Sequence, residues 1–210
     1  LPALAAKNLV YVKPDDFSDQ QNEYAQNLFR NEIFPLLTPL RTDTEIFPNI
    51  NNLALYAAFL LKPISGIRNA NQELKGGEES PRISLVQIPS CIPQVVWLPS
   101  EKGKKQFALT EEIITQYGTQ LFPGFAVDET MILKVARDAD FAVDEESGRN
   151  FIHEMEKILV QRKSSFAVRM TCNSTSQTIM KFLMEKLELK DEDVYLVEDL
   201  IDPSVLMELR

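Results

Sequence analysis

The chain offers few side chains that could carry out nucleophilic or proton-transfer chemistry, and its single histidine is the first to consider. A Ser-His-acid or Cys-His site needs an imidazole to take the proton of the nucleophile. His153 lies two residues before Met155, on the side of a predicted helix opposite its apolar stripe. We therefore expect a solvated surface histidine and no catalytic residue in this chain.

Acidic and glycine-rich segments form no recognisable metal or nucleotide site either. Acidic residues cluster at 138–146, but Ala142 and Val143 stand where a calcium loop needs an oxygen ligand and a glycine. No phosphate-binding glycine loop of the Walker or dinucleotide type occurs, and Gly76 and Gly77 are predicted to form a hairpin tip. The sequence predicts no metal ligands.

The chain contains one cluster of basic residues, although its net charge is negative. Lys102, Lys104 and Lys105 fall in a predicted turn, where they are either solvated or in contact with a phosphate. The net charge is −9, so the field of the domain should on average repel a polyanion. We expect no nucleic acid partner, and we do not expect this chain alone to be the main binding surface for a phosphate polymer.

The cysteines and the termini indicate the cellular context. Cys91 and Cys172 are too far apart and too few for a disulfide framework, so we predict reduced core thiols and a cytoplasmic protein. The chain starts at Leu1 without a signal peptide and closes on apolar residues around Val205. These ends predict a domain cut from a longer chain.

Capping residues and apolar spacing predict the helices that would position these groups. Ser18 with Gln21 three residues later forms a capping box, and Pro35 ends that helix near Phe34. Thr110 is predicted to cap a helix over 111–121. Three further helices are expected to begin at Ser147, at Ser174 or Thr175, and at the Asp202–Pro203 pair.

Strands are predicted between these helices. Residues 53–61 are apolar on both faces, which predicts a central strand covered on both sides. The other predicted strands span 82–88, 95–98, 106–109, 127–135, 165–172 and 194–197, with 139–143 as an extension of the 127–135 strand. Strands and helices do not alternate regularly. The fold class is therefore α+β, with a mixed, mostly antiparallel sheet covered by helices as a two-layer sandwich.

Four segments, in this order, resemble a known family. They read FPLLTPL at 34–40, FPNINNL at 47–53, RDADF at 137–141, and DVY at 193–195 followed by Asp202 and LMEL at 206–209. Together they resemble the head (middle) domain of the histidine-phosphorylating polyphosphate kinases, over nearly the whole chain. The remaining alternatives are an unrelated acidic protein-binding module without catalysis and an unrecognised hydrolase.

The resemblance implies a large parent enzyme that reversibly transfers the terminal phosphate of ATP to polyphosphate through a phosphohistidine. It implies that ATP and Mg²⁺ bind in other domains, which carry the catalytic histidines, and that this segment alone binds neither. The partners implied are other domains of the same chain, polyphosphate in the parent and a second subunit in a dimer or higher homo-oligomer. The location implied is cytoplasmic, and a peripheral association of the parent with membranes stays open.

The resemblance also implies that a head domain forms dimer contacts and shapes the tunnel to the active site. Arg137 and Arg41, with the three lysines named above, are the candidates for interface or phosphate contacts. Arg137 follows an apolar strand, so it could pair with a carboxylate across an interface or meet a phosphate. The simpler interpretation is a local salt bridge to Asp138 or Glu145.

Overall fold

The secondary structure is taken from a computed structural model that describes residue 4 and residues 8–44, 46–64, 82–100, 104–138, 166–173, 176–198 and 200–209. The strands in these ranges are β1 Leu9–Tyr11, β2 Pro39–Arg41, β3 Leu55–Pro63, β4 Arg82–Gln87, β5 Val95–Leu98, β6 Lys105–Leu109, β7 Phe125–Arg137, β8 Ala167–Cys172 and β9 Val194–Leu196. The α-helices are α1 Asp19–Leu28, α2 Thr110–Tyr117 and α3 Gln177–Leu187. Short 3₁₀ turns span Pro14–Asp16, Phe34–Leu36, Gly118–Leu121, Asp191–Asp193 and Pro203–Leu209, and a π-turn spans Phe29–Ile33.

Several predictions fall outside the described residues. These are the polar loop with its Gly76–Gly77 tip, the strand extension at 139–143, the helix after Ser147 with His153, and Lys102. They remain predictions.

The described strands form two sheets. The larger has the order β2-β4-β3-β7-β8-β9, and the smaller has the order β1-β6-β5. Neighbouring strands are antiparallel except at the β8–β9 and β1–β6 pairs, which are parallel. The predicted α+β class with mixed, mostly antiparallel pairing is confirmed, and the structure adds the separate small sheet.

Strand β3 lies at the centre of the larger sheet and is covered on both faces, as its sequence predicts. Its residues 55–60 are all buried. Leu55, Ala57 and Phe59 belong to one apolar cluster with residues of α1 and α2, whereas Tyr56 and Ala58 belong to a second cluster with residues of α3. Alternate residues of one strand therefore hold two separate cores together.

Helix α1 begins as the sequence predicts. The Ser18 hydroxyl accepts a hydrogen bond from the Gln21 N–H at 3.3 Å, and the Gln21 side-chain oxygen accepts one from the Ser18 N–H at 3.1 Å. The buried Gln21 amide also donates to the Pro99 carbonyl and to Gln106 Oε1. The cap thus ties the helix to the small sheet. The α-helix ends at Leu28. The chain continues as the π-turn and then as the 3₁₀ turn that contains Pro35.

Two predicted helix caps are wrong. Helix α2 begins at Thr110 itself, because the buried Thr110 hydroxyl donates to the Pro93 carbonyl at 2.6 Å instead of capping the helix. Helix α3 is capped by Ser176, whose hydroxyl accepts from the Ile179 N–H, and not by Ser174 or Thr175. At Thr110 a contact with a neighbouring segment, which local spacing does not reveal, decides the boundary.

The prediction of core thiols is right for one cysteine and wrong for the other. Cys172 is buried on β8 in the second apolar cluster. Cys91 is exposed, because the turn between Pro89 and Pro93 carries it to the surface. In the described ranges, no helix is long and apolar enough to cross a membrane.

Gly118 tests how tightly the first core is packed. A Cβ at this position would lie 2.6 Å from two ring carbons of Phe59, which is fully buried on the central strand. We expect Gly118→Ala to lower the free energy of unfolding by about 1–3 kcal/mol through overpacking. Urea denaturation measures this. The control is Gln120→Ala, at an exposed position of the same turn, which should change stability by less than about 0.5 kcal/mol. Equal stability of the two variants would contradict the packing argument.

Candidate functional site

Arg137 at the end of β7 meets the loop that precedes β3. The Arg137 N–H donates to Asn52 Oδ1 at 2.8 Å, and the Arg137 Nε donates to the Ile50 carbonyl at 2.7 Å. In addition, the Leu53 N–H donates to the Val135 carbonyl at 2.8 Å. Two segments that are distant in sequence, FPNINNL and RDADF, are therefore joined directly in the fold.

The loop carries a conformation that these bonds must stabilise. Leu53 has φ of 57°, in the left-handed region that costs a bulky side chain about 1–2 kcal/mol. The same residue is half exposed, so burial of its side chain does not offset that cost. Hydrogen bonds from the loop to β7 are the contacts that favour this geometry.

A buried tyrosine extends the network toward β4. The Asn51 N–H donates to the Tyr56 hydroxyl at 3.0 Å, and that hydroxyl donates to Gln87 Oε1 at 3.2 Å. The Asn51 side-chain amide donates to the same Gln87 oxygen at 3.0 Å. Burial raises the pKa of Tyr56, and the Asn51 N–H and the Arg137 charge only partly oppose this. The hydroxyl is therefore neutral and serves as a hydrogen-bonding group.

Partial burial also affects the pKa of Arg137. Desolvation lowers the pKa of its guanidinium, with an opposing effect from Tyr56. An arginine nevertheless keeps its charge at any physiological pH. A half-buried cation of this kind, oriented by the Ile50 carbonyl, suits a contact with an anionic group. The predicted partner Glu145 lies outside the described residues, so that salt bridge remains a prediction.

The other basic candidates lie on different elements. Arg41 on the edge strand β2 forms a two-pronged ion pair with Asp43, at 2.9 Å for each oxygen, and its side chain is 74% exposed. That bond, with a smaller Coulombic contribution, raises the pKa of Arg41. Lys104 and Lys105 are exposed near the small sheet, with Lys105 Nζ 5.9 Å from the Trp97 ring centre. The structure does not unite them with Arg137 on one element.

A second polar site was not predicted from the sequence. Glu111 and Glu112, in the first turn of α2, line a small cavity of about 10 Å³, enough for roughly one water molecule. Each has one buried carboxylate oxygen, Oε2, without a hydrogen-bond partner. The one sequence signal was a pair of acids directly before two apolar residues, Ile113 and Ile114. In the described residues, no group of three acidic, histidine or cysteine side chains could hold a metal ion.

Comparison with known proteins decides the family. A family model described as "Polyphosphate kinase middle domain" matches residues 20–209. The chain belongs to the polyphosphate kinase family. The resemblance drawn from the four sequence segments is thereby confirmed, and the alternative of an unrelated protein-binding module is wrong.

Relatives in this family are much longer than the chain. A "Polyphosphate kinase" of Bacillus anthracis is 32% identical over the whole chain, which spans 29% of that relative. One of Staphylococcus epidermidis is 31% identical over 98% of the chain and 26% of the relative. The crystal structure of the polyphosphate kinase from Porphyromonas gingivalis matches the whole chain and 28% of its own, with a TM-score of 0.73 and 20% identity. That structural likeness supports the fold.

Asn52 tests whether the loop and β7 depend on each other. Asn52→Ala removes the acceptor of the Arg137 N–H and frees the strained loop, so we expect a loss of about 1 kcal/mol in the free energy of unfolding. Asn52→Asp keeps a side-chain oxygen at the same place and should retain most of that stability. Urea denaturation of both variants checks this. A loss for Asp as large as that for Ala would show that the acceptor does not matter.

Proposed function

We propose that the chain is the non-catalytic head domain of a polyphosphate kinase. In this proposal the parent enzyme reversibly transfers the terminal phosphate of ATP to polyphosphate through a phosphohistidine, with ATP and Mg²⁺ bound by its other domains. The match of residues 20–209 to the middle-domain family carries the proposal. It is supported by the length of the relatives, since the chain spans 29% of one of them and leaves room for separate catalytic domains.

The sequence of this domain suits a supporting role. A phosphohistidine mechanism needs a nucleophilic histidine with orienting groups and a cationic setting for the phosphates. The sequence contains one histidine, His153, which is predicted to lie on the surface. The net charge of −9 also disfavours a principal phosphate site. We therefore assign the chemistry to the domains outside this chain.

The end of β7 is the surface that we assign to contacts with other domains or with a second subunit. Beside the half-buried Arg137, Leu53 is 52% exposed and Phe166 is 75% exposed. Phe166 is held next to Arg137, because its carbonyl accepts from the Asp138 N–H at 2.9 Å. Arginine beside exposed aromatic and aliphatic groups is the composition that protein interfaces favour. This surface would contribute to assembly and, through assembly, to the shape of the tunnel.

The lysines and Arg41 have a smaller place in this proposal. Arg41 is already neutralised by Asp43 at an exposed edge, and such pairs contribute little to binding or stability. Lys104 and Lys105 are exposed, and a role in guiding phosphate toward the parent enzyme would depend on salt concentration. Lys102 stays a candidate from sequence alone.

The isolated chain is expected to lack kinase activity. We expect no transfer of label from γ-labelled ATP to polyphosphate in the presence of magnesium, and no acid-labile phosphate on His153. The full-length parent enzyme serves as the positive control under the same conditions. Turnover by the isolated chain, together with label on His153 that His153→Gln abolishes, would overturn the assignment of a non-catalytic domain.

The role of Arg137 can be tested in the full-length parent. Arg137→Ala leaves the Ile50 carbonyl without this donor and weakens the surface at the end of β7, so we expect a loss of about 1–3 kcal/mol in stability or in dimer formation. Activity should fall only as far as assembly falls. Sedimentation measures assembly, and a turnover assay gives activity per assembled enzyme.

The matched control is Arg41→Ala, which removes an exposed arginine from an edge strand and should change either quantity by less than about 1 kcal/mol. An Arg137→Ala enzyme that stays assembled and stable but loses most of its turnover would contradict the structural assignment. It would place Arg137 in contact with a phosphate.

A further inference from the structure

The closing segment, residues 200–209, is tied to the rest of the domain by polar contacts around a buried carboxyl group. Lys134 Nζ on β7 lies 2.7 Å from Asp202 Oδ2, and both side chains are about one-fifth exposed. The Val95 N–H on β5 donates to Glu208 Oε2 at 3.1 Å. Val205 between them is buried, with 1% of its surface exposed. This segment therefore bridges the large and the small sheet.

The carboxyl group at the centre of these contacts is that of Glu111. It is 4% exposed, and its Oε2 has no hydrogen-bond partner. It lines the small cavity together with Leu200 and Ile201 of the closing segment and Ile132 of β7. An uncompensated buried charge is costly, so this position favours the neutral carboxylic acid.

The neighbours of Glu111 reinforce that preference. Burial raises the pKa of Glu111 to about 7: a hydrogen bond from its own backbone N–H opposes this, and the charges of Glu112, Asp202 and Glu208 add to it. The nearby cation Lys134 is bound to Asp202. Although burial opposes ionisation of Asp202, hydrogen bonds from Lys134 and Ser204 outweigh it and lower the pKa of Asp202. Asp202 therefore stays negative while Glu111 is neutral.

The remaining charged groups around the cavity act on Glu112 and not on Glu111. Burial raises the pKa of Glu112, the Tyr11 hydroxyl and Lys13 lower it, and Asp15 raises it slightly. Glu112 Oε1 accepts a hydrogen bond from the Tyr11 hydroxyl on β1. Both carboxyl groups line the cavity, but that of Glu112 is hydrogen-bonded to β1, whereas that of Glu111 is influenced by the acidic side chains of the closing segment.

We propose that protonation of the Glu111 carboxyl group controls whether residues 200–209 stay packed against β5 and β7. We call this segment a latch: it is closed when packed and open when detached. The neutral carboxyl lets Asp202 and Glu208 pack beside it and keeps the segment closed. The ionised carboxylate places a third negative charge next to theirs in a poorly hydrated cavity, and the segment detaches from β5 and β7. The latch depends on the contacts of this domain alone, so it stands apart from the proposed function.

The direction of the pH effect follows from linkage. A carboxyl group whose pKa is raised in the closed state favours closure at low pH, and that advantage is lost as pH rises from 4.5, its ordinary value, to about 7. If Glu111 returns to its ordinary pKa when the segment opens, the opening constant should rise about tenfold between pH 6 and pH 8.

Hydrogen exchange measured by mass spectrometry on the full 210-residue chain tests this. Wild type and Glu111→Gln are compared at the same pH, so that the intrinsic pH dependence of exchange cancels. We expect the ratio of wild-type to variant exchange in residues 200–209 to rise about tenfold from pH 6 to pH 8. Peptides from β3 and β7 should show no such rise.

Glu112→Gln is the matched control, because it makes the same change one residue away. It removes a charge that helps raise the pKa of Glu111, so it should reduce the pH dependence in residues 200–209 without abolishing it. Should Glu111→Gln not fold, Glu208→Gln compared with wild type gives a second test. It removes one charge that faces Glu111 and should reduce the rise below tenfold. Any one of three results would overturn the latch. The exchange ratio could stay constant between pH 6 and pH 8, the core peptides could show an equal rise, or Glu112→Gln could lose as much pH dependence as Glu111→Gln.

Discussion

The structure depends on a central strand that is buried on both faces. Residues 55–60 of β3 expose neither face of the strand to solvent. Every neighbouring element therefore covers one face of the strand or pairs with one of its edges. Burial of this kind stabilises by about 25 cal/mol for each Å² of apolar surface, but it also isolates any polar group inside it. Tyr56 is that polar group, and Asn51 and Gln87 satisfy its hydroxyl. The polar network beside Arg137 is thus partly a consequence of how the core is built.

The sequence predicted the features that arise from local patterns. Apolar residues on both faces identified β3, and the Ser18–Gln21 pair identified the start of α1. These signals are contained within a few neighbouring residues. The fold class followed from the irregular order of such elements, and it is confirmed by the strand pairing.

The features that the sequence did not predict depend on contacts between distant segments. Thr110 has the residue type of a cap, but its hydroxyl bonds to Pro93 on a neighbouring segment. Asn52 has the residue type of a turn, but it accepts from the backbone of Arg137, 85 positions away. Glu111 resembles an ordinary acid in a first helical turn, and only the fold shows that the closing segment buries it. Residue type was informative in each case, whereas the partner was not available from spacing.

The four segments that resemble the family lie where separate elements of the fold contact one another. The first contributes Pro39 to β2, which pairs with β4, and the second holds Arg137 of the third through Asn52. The fourth contributes Asp202, which pairs with Lys134 on β7. Segments that join strands are constrained by geometry, whereas a catalytic segment is constrained by the groups that meet the substrate. The contacts described for these segments therefore hold strands of the sheet in place.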